Sequence, residues 1–190
     1  MPRTRKPPPT AIPSPFTVLI DSREKAPFAF AGLLADARDH HLPILVRSRY
    51  QYIPTGDYSI EGHESAIAVE RKSLEDLYST LGQHRERFEA ELERLAVMTF
   101  AAVVVEADWR TILSEPPSHS RLLPKTVFRS VLAWQQRYTN VHWMCMGGRR
   151  LAEVCCYRIL ERYWRDLERI AVVDFQDCLE AQRKRITENE

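Results

Sequence analysis

Glycine is scarce in this chain, 6 of 190 residues, and none belongs to a glycine-rich loop followed by Lys and Ser or Thr. Nucleotide-driven work therefore has no support. A Gly-x-Ser-x-Gly elbow is missing as well, which leaves acyl transfer without its usual nucleophile. The 4 cysteines, Cys145, Cys155, Cys156 and Cys178, include no Cys-x-x-Cys pair, and adjacent Cys155 and Cys156 suit a disulfide framework poorly. Reduced thiols in a soluble cytoplasmic protein are the expectation. His40, His41, His63, His84, His119 and His142 are scattered without ligand spacing, which disfavours zinc. No apolar run approaches the roughly 20 residues of a membrane helix, and no apolar signal segment opens the chain. A large charge of one sign is also missing: 27 basic against 26 acidic residues leave +1. Any surface for a polyanion would have to be local.

What the chain does have is enough apolar sequence for one core. With 44% hydrophobic content, its 190 residues can bury one substantial domain with appended ends. Residues 1–15, proline-rich with Arg3, Arg5 and Lys6, read as a disordered basic tail. Residues 16–170 form the expected domain and 171–190 a C-terminal extension, whose charged residues 183–190 are expected to fray.

Apolar runs and turn signals predict strands at 16–21 and 42–49, a short helix at 33–39, and a hairpin that pairs 58–60 with 66–72 around Glu61-Gly62-His63-Glu64. A helix at 74–81 starts from Ser73 as N-cap, with Asp76 three residues on. In the helix predicted over 85–98, Phe88, Leu92, Leu95 and Ala96 make an apolar stripe while Glu89, Glu93 and Arg94 face water. The run within 99–106 fits a strand covered on both faces. Residues 110–124, with three prolines, read as a loop and a candidate lid or contact segment. A helix over 125–138, a strand over 141–146 and a long helix from Arg149 complete the pattern. Interleaved strands and helices imply an α/β domain: a mixed central β-sheet flanked by helices, with a site at one edge.

The chemistry concentrates in Gly56-Asp57 and in Glu70-Arg71-Lys72. Strand residues two apart share a face, so Glu70 and Lys72 lie side by side while Arg71 points the other way, and the hairpin brings Asp57 back toward Glu70. Two carboxylates can hold a hard divalent cation, and an ammonium can position water or steady a charged transition state. Phosphodiester hydrolysis needs that combination. Taken alone, the pattern also fits a solvated strand edge. Asp76 reads first as a helix cap. Arg85 and Arg87 occupy a first helical turn, where the dipole disfavours them; they serve a bound phosphate or are plain exposed arginines.

Three blocks occur in order: Asp21-Ser22-Arg23-Glu24, then Gly56-Asp57-Tyr58, then Val69-Glu70-Arg71-Lys72-Ser73 followed by Asp76-Leu77. In them the chain resembles the nuclease domain of the XPF-type structure-specific endonucleases, over residues 17–164 and most strongly up to residue 95. The resemblance implies a restriction-endonuclease-like core and a DNA endonuclease dependent on Mg²⁺ or Mn²⁺, leaving 5′-phosphate and 3′-hydroxyl ends. It implies Asp57 and Glu70 as metal ligands, the backbone carbonyl of Arg71 as a further one, and Lys72 as catalytic lysine acting as base or as charge stabiliser. Asp21 and Glu24 would support the site or bind a second cation, and Arg23, Arg71, Arg85 and Arg87 would contact DNA. The expected partner is branched or flap-containing DNA, and a homodimer through the helices at 125–138 and 149–170 fits the family. The expectation is a nuclease domain alone, without the helix-hairpin-helix or helicase domains that family members carry. Rival readings are a non-catalytic scaffold subunit, a general DNA-end nuclease and a Holliday junction resolvase.

Overall fold

The structure, a computed structural model, describes residues 10–36 and 40–187, with side chains through Val173 and at Gln176. Its centre is one six-stranded sheet in the order β2-β1-β3-β4-β5-β6. The strands are β1 (Ile12–Asp21), β2 (Ile44–Gln51), β3 (Tyr58–Ile60), β4 (Ile67–Lys72), β5 (Phe100–Val105) and β6 (Val141–Cys145). Strand β3 runs antiparallel to β1 and β4, and every other neighbour pair is parallel. Helices α1 (Leu74–Gly82), α2 (Arg85–Ala96), α3 (Trp109–Ser114), α4 (Pro124–Arg137) and α5 (Arg149–Thr187) complete the fold. The expected mixed sheet with flanking helices is what the chain forms.

Period-two alternation sorts the core into two layers. Ala101, Val103 and Val105 pack with Leu77, Leu92 and Trp134 beneath α1, α2 and α4. Ala102 and Val104 pack with Cys156, Tyr157 and Leu160 of α5 on the other face. A strand covered on both sides needs a continuous apolar sequence, and β5 is Phe-Ala-Ala-Val-Val-Val. Where helices cover both faces, the strands can therefore hold charged side chains only at their ends, which is where β4 places Glu70, Arg71 and Lys72.

Three local expectations are corrected. Strand β1 begins at Ile12 rather than at residue 16, because a register shift between Pro13 and Thr17 lets the prolines sit in a strand without breaking its pairing. Only residues 1–9 of the expected tail lie outside the described residues. The helix expected at 33–39 does not form over its described residues. There Leu34 makes an isolated antiparallel bridge with Pro43, the Ile44 N–H donates to the Leu33 carbonyl at 2.8 Å, and residues 37–39 lie outside the described chain. Burial of Phe30 and Leu33 in the layer under α5 overrides local propensity. Within 110–124, finally, α3 replaces part of the expected loop: Asp108 caps it by accepting from the Thr111 N–H at 2.8 Å, and Ile112 is fully buried. The predicted β3–β4 hairpin, α1, α2, α4 and the start of α5 form as expected within a residue or two. Helix α5 runs on through Thr187, and the last three residues of the segment expected to fray lie outside the described chain. Among the described residues no helix is long and apolar enough to cross a membrane.

Candidate active site

Asp57 precedes β3 and is locked on two sides by backbone bonds. Its N–H donates to the Val69 carbonyl at 2.9 Å, and its carbonyl accepts from the Asp21 N–H at 2.8 Å. Gly56 makes this approach possible: its φ is +77°, and a Cβ there would lie 2.9 Å from the Ala68 Cβ. The Asp57 carboxylate then takes the Arg71 N–H through Oδ2 at 2.7 Å. On β4, Glu70 and Lys72 share the face toward α2, with Lys72 Nζ 2.6 Å from Glu70 Oε1 and 4.7 Å from the centre of the Phe88 ring. Arg71 points to the opposite face, donating to Glu106 Oε1 at 2.7 Å and reaching Glu24 Oε1 at 3.4 Å.

These side chains open onto one cavity of about 570 Å³, walled by Asp21, Arg23, Glu24, Asp57, Glu70 and Lys72 on the strand side. His84, Arg87 and Glu91 close it from the α1–α2 side. Burial and the neighbouring Glu70 push the Asp57 carboxyl well above the usual carboxylate range, against the pull of the Arg71 N–H. Burial likewise raises Glu70, although Lys72 draws it back. For Lys72, burial works against the ammonium, but the charge and hydrogen bond of Glu70 outweigh it and the pKa rises. Asp21 goes the other way: burial would raise it, yet Arg23 bonds both carboxylate oxygens, at 3.0 and 2.5 Å, and holds it low.

The donor set fits a hard divalent cation. Asp57 Oδ1 and Glu70 Oε2 take no hydrogen bond from any described residue, so two carboxylate oxygens are free to bind. Main-chain alternation along β4 turns the N–H and C=O of Arg71 to the same edge as those of Val69, the edge occupied by Asp57. The Arg71 carbonyl is thus available as a third oxygen. Among the described residues no group of three or more His, Cys, Asp or Glu side chains gathers as a metal cluster. The oxygens this cavity could offer a cation are thus those of two carboxylates and one carbonyl.

Of the residues singled out in the sequence, Asp21, Arg23, Glu24, Asp57, Glu70, Arg71, Lys72, Asp76 and Arg87 all line this cavity. Arg85 does not. Its guanidinium bonds Glu89 at 3.0 Å and the Ser130 hydroxyl at 2.9 Å and covers the Trp134 ring, tying α2 to α4. Glu89, expected in water, also accepts from the Trp134 indole at 2.9 Å. Ser73 caps α1, its hydroxyl accepting from the Asp76 N–H at 3.0 Å and donating to the Asp76 carboxylate at 2.8 Å. Among the described residues, none of 110–124 lines the cavity, so the candidate lid is a packed α3–α4 corner.

Three contributors escaped the sequence reading. Glu91 accepts from the Gly56 N–H at 3.0 Å, and its position three residues after Phe88, on the apolar stripe, is the signal that could have found it. Glu106 ends β5 beside Lys72, whose carbonyl accepts its N–H at 2.8 Å. A carboxylate at the close of an apolar strand that pairs with β4 was a readable cue. Arg149, which meets Glu106 at 2.6 Å and the Ala26 and Pro27 carbonyls at 2.8 Å, carried none.

The family model for the ERCC4 domain matches residues 20–150. Among solved structures, XPF from Aeropyrum pernix is similar at 20% identity with a TM-score of 0.57, over 82% of this chain and 68% of that one. XPF from Aeropyrum pernix in complex with DNA matches at 20% identity and a TM-score of 0.53, over 80% and 66% of the two chains. This chain thus spans about two thirds the length of those solved chains. The comparison with curated proteins finds no match. The mixed sheet between helices is the restriction-endonuclease-like fold those structures share. With the model covering well over half its length, the chain belongs to the ERCC4-domain family, the XPF-type nucleases whose sequence blocks it carries.

Proposed function

We propose that this protein is a divalent-metal-dependent DNA endonuclease that hydrolyses phosphodiester bonds in branched or flap-containing DNA, in repair, recombination or replication, leaving 5′-phosphate ends. The observation that carries the reading is the meeting of Asp57 and Glu70, two carboxylates with free oxygens in one cavity, with the Lys72 ammonium 2.6 Å from Glu70. Asp57, Glu70 and the Arg71 carbonyl would hold Mg²⁺ or Mn²⁺. Bound there, such an ion supplies a polarised water and charge neutralisation at the phosphate. Lys72, whose Nζ lies 2.6 Å from Glu70, would position the attacking water or steady the phosphate's developing charge. Arg23 and Arg87 on opposite walls offer guanidinium groups to the flanking phosphates. Pairing of two copies through the exposed Phe128 and Leu132 of α4 belongs to the same reading, and light scattering tests it.

The decisive experiment incubates the purified protein with flap, fork, four-way and linear DNA in Mg²⁺, Mn²⁺ or EDTA. Cleavage should require the metal and fall by about 100-fold or more in Glu70→Ala and Lys72→Ala. Full Mg²⁺-dependent cutting by either variant, or none by the native protein under any metal, would overturn the assignment.

A further inference from the structure

The free edge of the sheet is not neutral ground. Among the described residues strand β2 pairs only with β1, and from Ile44 through Tyr52, the residue that follows it, the chain carries Arg47 and Arg49 but no carboxylate. Its far end presents two large aromatics to solvent: Tyr50 is 60% exposed and Tyr52 63%. Neither hydroxyl makes a hydrogen bond to a described residue. In the register of the sheet Tyr50 lies beside Ile20 and Gln51 beside Asp21, so both tyrosines flank the end of the sheet at which Asp21 enters the cavity. Arg23 joins the two places. While gripping Asp21 and donating to the Ile53 carbonyl at 2.8 Å, its guanidinium lies 4.7 Å above the Tyr52 ring. Lys25, exposed on the cavity wall, adds positive charge beside the same opening.

Exposed aromatic faces beside fixed guanidinium groups bind flat, polarisable rings tethered to anions. We infer that Tyr50 and Tyr52, with Arg23, form a stacking platform for unpaired nucleobases of the strand whose phosphate enters the cavity. The inference rests on the nuclease reading for its orientation, since the platform is continuous with the proposed catalytic cavity. It calls for unpaired bases because a duplex hides base faces inside its stack, whereas every free base offers a π-face. Arg23 has two roles here: it neutralises Asp21 and holds Tyr52 at the rim.

Fluorescence anisotropy in EDTA, at one fixed salt concentration, separates this from the catalytic proposal. The probes are a labelled oligothymidylate of about 15 nucleotides and a duplex of equal length. Tyr52→Ala should weaken the single strand at least about fivefold, and the Tyr50→Ala/Tyr52→Ala double variant further, with duplex affinity changed less than about twofold. Tyr52→Phe should bind as the native protein does, because the ring and not the hydroxyl carries the contact. The inference falls if the native protein fails to hold the single strand, if the double variant holds it equally well, or if single strand and duplex weaken together. Tyrosine-dependent single-strand binding by a protein that cuts no DNA under any metal would leave the platform standing and remove the nuclease.

Discussion

Replacing Gly56 by alanine tests how tightly the site is built into the backbone. At φ +77° any L-residue pays for a left-handed conformation, about 1–2 kcal/mol. The new methyl would also sit 2.9 Å from the Ala68 Cβ and 3.3 Å from the Val69 carbonyl oxygen. Neither neighbour is a flexible side-chain end; both belong to β4, pinned between β3 and β5, so the strand itself has to move. Overpacking of that kind costs about 1–3 kcal/mol more. The sum, about 2–5 kcal/mol, corresponds to a Tm lower by roughly 4–20 °C for a chain of this size. Gly62 provides the control, with φ +83° and nothing within 4 Å of its would-be Cβ, so Gly62→Ala pays only the conformational part, about 1–2 kcal/mol. Thermal unfolding of both variants followed by circular dichroism reads the difference, and Mg²⁺-dependent cleavage should fall in Gly56→Ala only. Equal destabilisation by the two would show that the contact with Ala68 carries no weight and that Asp57 is not positioned by this approach.

Asp57→Asn should raise the Tm of the metal-free protein at pH 8 and abolish stabilisation by Mg²⁺. The sign follows from the raised pKa: between its unfolded and folded values the native state holds the extra proton, so stability falls as pH rises through that window and the penalty is complete above it, whereas below the unfolded pKa variant and native protein should converge. Glu106→Gln removes a charge from the Arg71–Glu106–Arg149 chain and should cost about 1–3 kcal/mol in urea unfolding, since Arg71 is buried and loses a charged acceptor; no change would mean that Glu24 alone suffices for Arg71. Arg85 and Arg87, alike in sequence, should separate in function: Arg85→Ala lowers stability by about 1 kcal/mol and leaves DNA affinity intact, while Arg87→Ala leaves stability intact and lowers the salt slope of DNA binding by about 1.

The parts of the fold legible in the sequence were those in which local pattern and tertiary demand agree. The apolar run of β5, the turn at Gly62 and the cap at Ser73 each specify one conformation by chemistry found within a few residues. Residues 33–36 failed because their conformation is set at a distance, by α5 arginines that grip the loop's carbonyls: Arg150 holds those of Ala31 and Gly32 at 2.7 and 2.8 Å, and Arg158 that of Leu34 at 2.5 Å. The site was legible for a related reason. Glu70 and Lys72 meet through strand periodicity, and Asp57 joins them through one hairpin. Glu91 and Glu106 come from other elements, so nothing near them in sequence announced the meeting. Arg85 misled because an arginine opening a helix looks the same from sequence whether its guanidinium reaches outward or lies across Trp134.

The two faces of β4 explain how this constellation would serve as a cation site instead of closing into an ion-pair network. On the α5 face the charges balance: Arg71 and Arg149 meet Glu24 and Glu106, and the Phe28 ring lies 5.8 Å from one guanidinium and 5.1 Å from the other. That side has no charge left over. On the cavity face the sum does not close. Asp21 is consumed by Arg23, and Lys72 bonds Glu70 and leaves Asp57 without an ion-pair partner among the described residues; burial raises both carboxyls, and the charge of Glu70 raises Asp57 further. Adding a second basic side chain there would stabilise the fold and occupy the oxygens; leaving it out costs stability and keeps them free. A strand's alternation assigns Arg71 to the balanced face and Glu70 and Lys72 to the unbalanced one. Three consecutive residues thereby separate a structural clamp from a reactive deficit of charge, and a one-residue slip of β4 would exchange the two and destroy both.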